Sequence, residues 1–495
     1  MAGRRPEGVV PFPPLRSERI PAELWLQIIE PSLEQDDITR LSLVSKHLRY
    51  IAQPMLFSEI RVTLVQARNL HTPALVRCQH VHYNNRLKER LEFITSNRAA
   101  YFVKTLTINT GSDIHVIGTQ DAVKEEEVLR TVFNQLPHFV NLRSFSAQDI
   151  SLNGSHFDSL AQLEHFNGIH LERCKCSGDL RLTRFRLRYL SLHGKMHGSY
   201  GWWIPLVTAS SVEHLSYDAP VPLPPAENEP QSEPEVLFPA LTVLPRPLLS
   251  LRTLRLPAHA PFFPCFVGAL ARCSSVENLY IDQRHAIPSE ALDQLEDEYP
   301  VLSHNILPKL KAISAPTKFI ECLIMSRTDQ VDLKHISICD QFSDVTEILQ
   351  LIRDRCQGVE ELVIAINTTT SLDLLLTQLP FLRGLFVVTG SIHIPYKEVR
   401  TSSAASYTLL LTARVQLYQY LKTVIYPPNL RCLHIKSLQG SRRHSSALST
   451  SSPGTPAKTR SALVSHIRKH APKIVEVEIL LKKSIMWRDM YTSKL

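Results

Sequence analysis

The sequence predicts an α/β protein in which a small helical module precedes a long array of short parallel strands. Two apolar-periodic helices, separated by a proline, lie within residues 19–60. An apolar phrase then recurs between residues 103 and 474. Hydrophobic residues make up 44% and charged residues 21% of the 495-residue chain, a balance typical of globular domains.

Composition narrows the function classes. The net charge of +8 is dilute over this length, so nucleic acid is not an expected partner. Nine cysteines without regular spacing favour reduced thiols over a disulfide framework. The N-terminal sequence MAGRRPEGVVPFPP has no secretory apolar core, and no apolar run reaches the length of a membrane span. We therefore expect no membrane partner and a cytoplasmic or nuclear location.

The helical module, residues 19–60, follows a flexible leader at residues 1–18. Pro21 suits the first helical position, Pro31 ends this helix, and Asp36 or Asp37 caps the second helix. Both helices carry more apolar side chains than their mutual packing can bury. The surplus is covered either by the repeats behind the module or by another protein. The apolar positions are Leu24, Trp25, Leu26, Ile28 and Ile29 in the first helix and Leu41, Val44, Leu48 and Ile51 in the second, with Leu43 on the opposite side of the second.

The same segment resembles an F-box of the form found in many fungal F-box proteins. The resemblance rests on Ile20-Pro21-x-Glu23-Leu24, Ile28-Ile29, Leu41-Ser42-Leu43-Val44-Ser45-Lys46 and Ala52-x-Pro54-x-Leu56-Phe57. It implies docking on the Skp-type linker of a cullin-type (SCF) ubiquitin ligase, while the rest of the chain recruits a protein substrate. The residues that it implies for linker binding are Pro21, Leu24, Trp25, Ile28, Leu41, Leu43, Val44 and Leu48.

A second pattern follows a predicted helical connector, residues 61–100. An apolar residue, two others, Leu or Ile, one other and an apolar residue recur thirteen times within residues 101–482. Copies include VKTLTI at 103, LEHF at 163, LRYLSL at 187, LRTLRL at 251 and IVEVEI at 474. Their alternating residues suit a short strand with one face inward.

Seven of the twelve intervals between copies fall in the window of roughly 20–29 residues typical of leucine-rich repeats. The array resembles the irregular leucine-rich repeats that follow many F-boxes, which implies a curved solenoid. The asparagine that such repeats carry beyond the last apolar position occurs clearly only at Asn367. A parallel β/α barrel has similar spacing, but it would need eight units.

Three stretches interrupt the repeats, and a tail follows at residues 483–495. Residues 219–247 contain nine prolines and are predicted to form an extended excursion. Residues 391–429 are predicted to insert a helix. Residues 440–460 are rich in Ser and Thr and are predicted to be disordered. Within them, Ser452 and Thr455 each precede proline, as proline-directed phosphorylation sites do, although an unmodified linker explains them equally well.

No set of residues in the sequence indicates catalysis, a cofactor or a metal site. The motifs GxGxxG, GxxxxGK[ST], HExxH and GxSxG are absent, and no zinc-type Cys/His spacing occurs. We therefore expect no enzymatic activity. Trp202 and Trp203, in the glycine-containing loop 193–203, are candidate substrate anchors; the alternative is that they cap the repeat core.

The sequence thus favours a non-enzymatic SCF adaptor whose partners are a Skp-type linker, a cullin and an unidentified protein substrate. The alternative is an interaction scaffold without a ligase role, in which the N-terminal helices cap the solenoid. An enzyme built on a β/α barrel is the weakest hypothesis, because no catalytic set can be assembled.

Overall fold

The structure is a computed structural model that forms two compact units, Met1–Leu187 and Arg188–Leu495. None of its described helices is long and apolar enough to cross a bilayer. The residues that it describes are 24, 35–64, 86–96, 98–110, 119–177, 185–194, 197–198, 203–209, 211–218, 233–244, 246–263, 265–282, 301–304, 306–328, 330–339, 346–366, 375–389, 421–422, 425–438 and 457–482.

Among its described residues, the first unit contains the helical Leu24 and then two short helices, α1 (Gln35–Val44) and α2 (Lys46–Leu56). The sequence predicted one helix here. The chain breaks at Ser45, whose extended backbone and side chain cap α2 by accepting a hydrogen bond from the Leu48 amide at 3.1 Å. Asp36 and Asp37 lie in the first turn of α1 rather than at a cap. The two helices share a core of Ile38, Leu48, Ile51 and Ala52, against which Leu41, Met55 and Leu56 pack.

The predicted helical connector is wrong at its start, because strand β1 covers Glu59–Leu64. This strand buries Ile60, Val62 and Leu64 and pairs in parallel with β2 (Thr105–Thr110). With Phe57 it forms a further copy of the repeat phrase, FSEIRV, within the segment assigned to the F-box and connector. The connector keeps a helix, α3, over 86–96 and a 3-10 helix over Arg98–Phe102.

The rest of the first unit alternates strands with helices. Strands β1, β2, β3 and β5 pair in parallel in chain order, and β4 pairs in parallel with β6. The elements after β2 are α4 (Thr119–Asn134), a 3-10 helix (Leu136–His138), β3 (Ser144–Gln148), β4 (Ser151–Asn153), α5 (Gly154–Ala161), β5 (Gly168–Glu172) and β6 (Lys175–Ser177).

The predicted repeat at residue 163 has the wrong register. Helix α5 ends at Ala161, so Leu163 lies in the following turn and is only half-buried. The core residues of this repeat are Phe166, Ile169 and Leu171, in the phrase FNGIHL. Two apolar residues three positions apart, Leu163 and Phe166, both fit the first position of the phrase, and the helix end decides between them.

The second unit contains a ladder of ten parallel strands, each paired with the next in chain order, which exceeds the eight of a parallel β/α barrel. They are β7 (Tyr189–His193), β9 (His214–Asp218), β10 (Thr253–Pro257), β11 (Asn278–Asp282), β12 (Ala312–Ala315), β13 (His335–Ile338), β14 (Glu361–Ile366), β15 (Gly384–Thr389), β16 (Cys432–Leu438) and β17 (Glu476–Lys482). A two-residue strand, β8, lies at His197–Gly198.

Helices connect these strands and cover one side of the ladder's core. For example, Phe266, Leu270 and Phe319 project from helices and are fully buried. The helices are α6 (Ile204–Ala209), α7 (Glu233–Thr242), α8 (Phe266–Arg272), α9 (Thr317–Met325), α10 (Thr346–Arg355) and α11 (Ala457–His470), with a 3-10 helix at Ala260–Phe262 and a helical segment at 375–378.

The repeat phrase determines this ladder through its three apolar positions. In the copy at 251, Leu251, Leu254 and Leu256 are all buried, since the last two alternate inward along the strand. The backbone supplies the connection between copies. The Glu213 carbonyl, for example, accepts hydrogen bonds from the amides of both Arg252 and Thr253, at 2.8 and 2.9 Å. This main-chain pattern recurs through the unit. Asn367, the one candidate for an asparagine ladder, lies outside the described residues.

Two predicted interruptions need correction. The stretch 219–247 is not extended throughout, because α7 forms within it and buries Leu237, Phe238 and Leu241. The stretch 440–460 is not disordered to its end, since α11 begins at Ala457. Residues 391–420 lie outside the described part of the chain. The prediction of an α/β repeat array with short parallel strands is confirmed, whereas the assignment of the N-terminal helices to an F-box stays a prediction.

Candidate functional site

The turn between α1 and α2 exposes apolar side chains that the helix pair does not bury. Leu43 and Val44, the last residues of α1, are each 71% exposed, as is Tyr50 on α2. We call these three residues the head surface. Arg49 Nε donates a hydrogen bond to the Ser42 carbonyl at 3.2 Å, which fixes the end of α1 against α2.

The exposure follows from the local geometry. A helix that continued past Val44 would carry this side chain on the same stripe as Leu41 and Leu48. Ser45 ends α1 instead, and its extended backbone starts α2 in a new direction. Ile38 therefore reaches the shared core, while Leu43 and Val44 face outward.

Charged residues surround the head surface. Arg40, Lys46 and Arg49 are exposed, and Arg40 forms an exposed ion pair with Asp37 at 3.7 Å. An exposed pair of this kind contributes about 0–1 kcal/mol to stability. An apolar centre with a polar rim is the usual composition of a protein interface.

The structure separates the predicted linker-binding residues into groups. Leu24 is helical and 48% exposed, and Leu43 and Val44 are exposed. Leu41 is half-buried against the helix core. Leu48 was predicted at the docking surface, but it is 7% exposed within that core and would have to leave it to contact a partner. Pro21, Trp25 and Ile28 lie outside the described residues.

The predicted tryptophan anchor of the substrate site is wrong for Trp203. Its side chain is 1% exposed and stacks on Tyr217 with ring centroids 5.2 Å apart. Its burial fits the alternative, in which this residue packs in the repeat core. Trp202, Ser452 and Thr455 are not among the residues that the structure describes.

The strand face opposite the helices of the second unit, which we call the polar face, carries histidine–carboxylate pairs. His193 Nδ1 lies 3.5 Å from Asp218 Oδ2 on the next strand, and His335 Nδ1 lies 3.3 Å from Glu361 Oε2. Such pairs arise because parallel register places equivalent positions of successive repeats side by side.

Aromatic rings add to the polar face. Tyr189 stacks on His214 with centroids 4.6 Å apart, and the Arg255 guanidinium lies 5.1 Å from the centre of the Tyr280 ring. Burial is the main cause that lowers the pKa of His214. Tyr, Arg and His side chains on one face can supply both stacking and directional hydrogen bonds to a protein partner.

One group on the polar face has the arrangement of a nucleophile and its base. Ser191 Oγ lies 2.6 Å from His193 Nε2, and Asp218 lies on the other side of the same imidazole. The sequence search missed this group because Asp218 is 25 residues from His193. Alignment of the copies LRYLSLH and VEHLSYD would have placed His193 beside Asp218 and Ser191 beside Ser216.

Other reactive groups are less suited to chemistry. Burial raises the pKa of Cys273 and of Cys356 to about 12, so both thiols are protonated at neutral pH. Within the described ranges, no group of three or more His, Cys, Asp or Glu residues could hold a metal ion.

Comparison with known proteins adds little beyond this geometry. No family model matches the chain, and no curated protein matches it. Among solved structures, it is similar to TLR13 in the crystal structure of the TLR13–ssRNA13 complex, at 11% identity and a TM-score of 0.26 over 72% of this chain and 53% of that chain. The chain thus spans about half the length of that structure. At this TM-score we draw no functional argument from the similarity, and the repeat fold rests on the strand register itself.

Proposed function

We propose that this protein is a substrate-recruiting adaptor of a cullin-type (SCF) ubiquitin ligase. The helical module at residues 19–60, which we call the head, binds the Skp-type linker, and the linker connects the protein to the cullin. The repeat strands bind a protein substrate. Ubiquitin transfer would then be catalysed by the partners, and the complex would act in the cytoplasm or nucleus. The observation that supports the proposal best is the exposure of Leu43 and Val44 on a helix pair that already has its own core.

The energetics require more than these two residues. Burial of one exposed Leu, Ile or Trp side chain contributes roughly 1.5–3 kcal/mol. Three or four such residues contribute about 5–12 kcal/mol, which is comparable to the 4–15 kcal/mol that association costs. The head surface must therefore act together with Leu24 and with further residues of the segment 19–60.

The substrate would bind the polar face. Substrate recognition needs side chains that project from rigid elements, and each strand of the second unit supplies one every second residue. The stacked Tyr189–His214 pair and the Arg255–Tyr280 pair are the best-defined anchors, because ring contacts already restrict their side chains.

A second candidate function is an interaction scaffold in which the head only caps the repeats. The chain passes directly from α2 into β1, and the Ser58 carbonyl accepts hydrogen bonds from the amides of Lys104 and Thr105 at 2.8 and 3.0 Å. The head is thus continuous with the first repeat, as a cap would be. A cap, however, gains nothing from outward-facing Leu43 and Val44.

Affinity purification of the full chain distinguishes these functions. The wild-type protein is expected to recover the Skp-type linker and the cullin, whereas Leu43→Asp and Val44→Asp should lose both because a carboxylate would be desolvated at the interface. Val243→Asp is the matched control, since Val243 is also exposed but lies in the second unit. It should retain both partners.

Thermal unfolding of each variant verifies that the head remains folded. If Leu43→Asp and Val44→Asp recovered as much linker as Val243→Asp, the head surface would not be the docking site. If the wild-type chain recovered other proteins but neither linker nor cullin, the scaffold function would replace the adaptor function.

A further inference from the structure

We propose that Ser191, His193 and Asp218 form an acyl-transfer site on the polar face, with Ser191 as nucleophile toward carboxylic esters. This activity is separate from the adaptor function and does not depend on it. It would replace the expectation, drawn from sequence motifs, that the chain carries no catalytic set.

The contacts assign a role to each residue. Ser191 Oγ and His193 Nε2 are 2.6 Å apart, within the range of a strong O–H···N hydrogen bond. With the proton on Nδ1, facing Asp218 Oδ2 at 3.5 Å, Nε2 accepts the hydrogen bond from Ser191 Oγ and can take its proton. The 3.5 Å distance is long, as such contacts often are before a substrate is bound. His193 is thus the base, and Asp218 is a positioning residue.

The backbone holds the three residues in place. Ser191 and His193 are two positions apart on β7 and share its polar face, and His193 is the register partner of Asp218 on β9. Gly194 follows with a left-handed φ of 71°, and its amide donates a hydrogen bond to the Asp218 carbonyl at 2.7 Å. A strand-based site of this kind is more rigid than one built on loops.

Burial shields the base but leaves the nucleophile accessible. The side chains of His193 and Asp218 are 13% and 7% exposed, so little water competes with their contact. Ser191 is half-buried. An ester carbonyl that approaches along the polar face can therefore reach the hydroxyl without displacing the imidazole.

The neighbouring repeat supplies a donor for a developing oxyanion. Ser216 is the register partner of Ser191, and its buried hydroxyl has no hydrogen-bond partner in the structure. Adjacent strands are about 4.8 Å apart, so this hydroxyl lies within side-chain reach of a tetrahedral carbon on Ser191.

The reaction balances with water as the only co-reactant. Ser191 Oγ adds to the ester carbonyl carbon while its proton moves to His193 Nε2. The bond to the alkoxide then breaks, and His193 returns the proton to the departing alcohol, which leaves Ser191 acylated. Water gives a proton to Nε2 and adds to the acyl carbon. The carboxylic acid is released as the Ser191 oxygen recovers its proton.

The test is covalent labelling of the purified full chain with a fluorophosphonate, which forms a phosphorus–oxygen bond to an activated serine and expels fluoride. We expect one label, mapped by mass spectrometry to Ser191. His193→Gln should reduce the rate about 10²-fold or more. Ser191→Ala should abolish it.

Asp218→Asn tests the positioning role with a readout that folding alone would not change. It should lower the labelling rate, whereas Asp218→Glu, which keeps a carboxylate beside the imidazole, should restore part of it. Ser146→Ala is the matched control, since Ser146 is another half-buried serine on a repeat strand, and it should be labelled like the wild type.

The proposal is overturned if the folded wild-type chain takes up no label, or if the label remains in Ser191→Ala. It is equally overturned if folded His193→Gln is labelled at the wild-type rate. The wild-type labelling needs no variant and therefore tests the proposal even if His193→Gln fails to fold. None of these results bears on linker binding by the head.

Discussion

In the helical head Leu43 and Val44 are each 71% exposed, whereas in the repeat strands Leu254 and Leu279 are 2% and 0% exposed. All four are apolar residues, and three of them, Val44, Leu254 and Leu279, lie at positions that recur with regular spacing in the sequence. The difference is the number of covering neighbours. A repeat strand has a strand on each side and helices over its core, while Leu43 and Val44 lie on a helix pair with a short core.

This difference shows that an apolar pattern specifies which side of an element is apolar, but not what covers that side. In the repeats the next copy supplies the cover, so periodicity and burial agree. In the head, the pattern is ended by Ser45, and two of its apolar residues remain without intramolecular cover. Surplus apolar surface at such a point is the expected sign of a binding function.

The largest expected effect comes from truncation of a repeat residue. Leu254→Ala should lower the free energy of unfolding of the chain by about 2–5 kcal/mol, because a cavity is left between neighbouring copies. Leu43→Ala should change it by less than about 0.5 kcal/mol, because that side chain is already in solvent. Urea denaturation of both variants measures this contrast. Equal losses would mean that the head surface is covered by this chain in solution.

A smaller effect is expected at the turn that orients the head. Ser45→Ala removes the side-chain oxygen that accepts from the Leu48 amide and should cost about 0.5–2 kcal/mol in the free energy of unfolding. Ser45→Asp keeps an acceptor at the cap and is the matched control. If alanine and aspartate behaved alike, the cap would not be what separates α1 from α2.

The smallest effect concerns pH at the start of the repeats. Hydrogen bonds from Arg61 are the main cause that lowers the pKa of Glu59 below its ordinary value of 4.5, and Thr107 donates a further hydrogen bond at 3.0 Å. A lowered pKa stabilises the folded chain above the ordinary value, and this contribution is lost as the pH falls through the folded value. Because the pair is largely exposed, Glu59→Gln should remove less than about 1 kcal/mol at pH 7.

Denaturation of wild type and Glu59→Gln at pH 7 and at pH 3 measures this contribution. The difference between the two proteins should be present at pH 7 and should shrink as the pH falls through the lowered pKa of Glu59. A difference that grew as the pH fell would have the opposite sign and would exclude this role for Glu59.

Several features of the fold could be predicted because they depend on neighbours in the sequence. The copy at 251 has one apolar residue for each core position, so the strand at Thr253–Pro257 and its buried face follow directly. In the copy at 163, both Leu163 and Phe166 fit the first apolar position of the phrase. Only the end of the preceding helix shows that Phe166 occupies it. Strand β1 was missed because it spans the predicted boundary between the F-box segment, which ends at residue 60, and the helical connector.

Some of the candidate site residues could likewise be placed from the sequence, and others could not. Leu43 was predicted at the head surface because its position falls off the apolar stripe, and it is exposed in the structure. Leu48 and Trp203 could not be placed from the sequence, because a large apolar side chain suits both a core and an interface. No contiguous sequence motif contains Ser191, His193 and Asp218, because the three residues come from two different repeats.

The sequence by itself determined the repeat, the parallel strands and the inward positions of each copy, because these follow from local apolar spacing and from stacking of similar units. Only the tertiary structure decided which apolar residues stay in solvent and which polar residues meet across strands. Exposure depends on whether another element covers a side chain, and contact between repeats depends on register. Neither quantity is contained in the spacing of residues along a single segment.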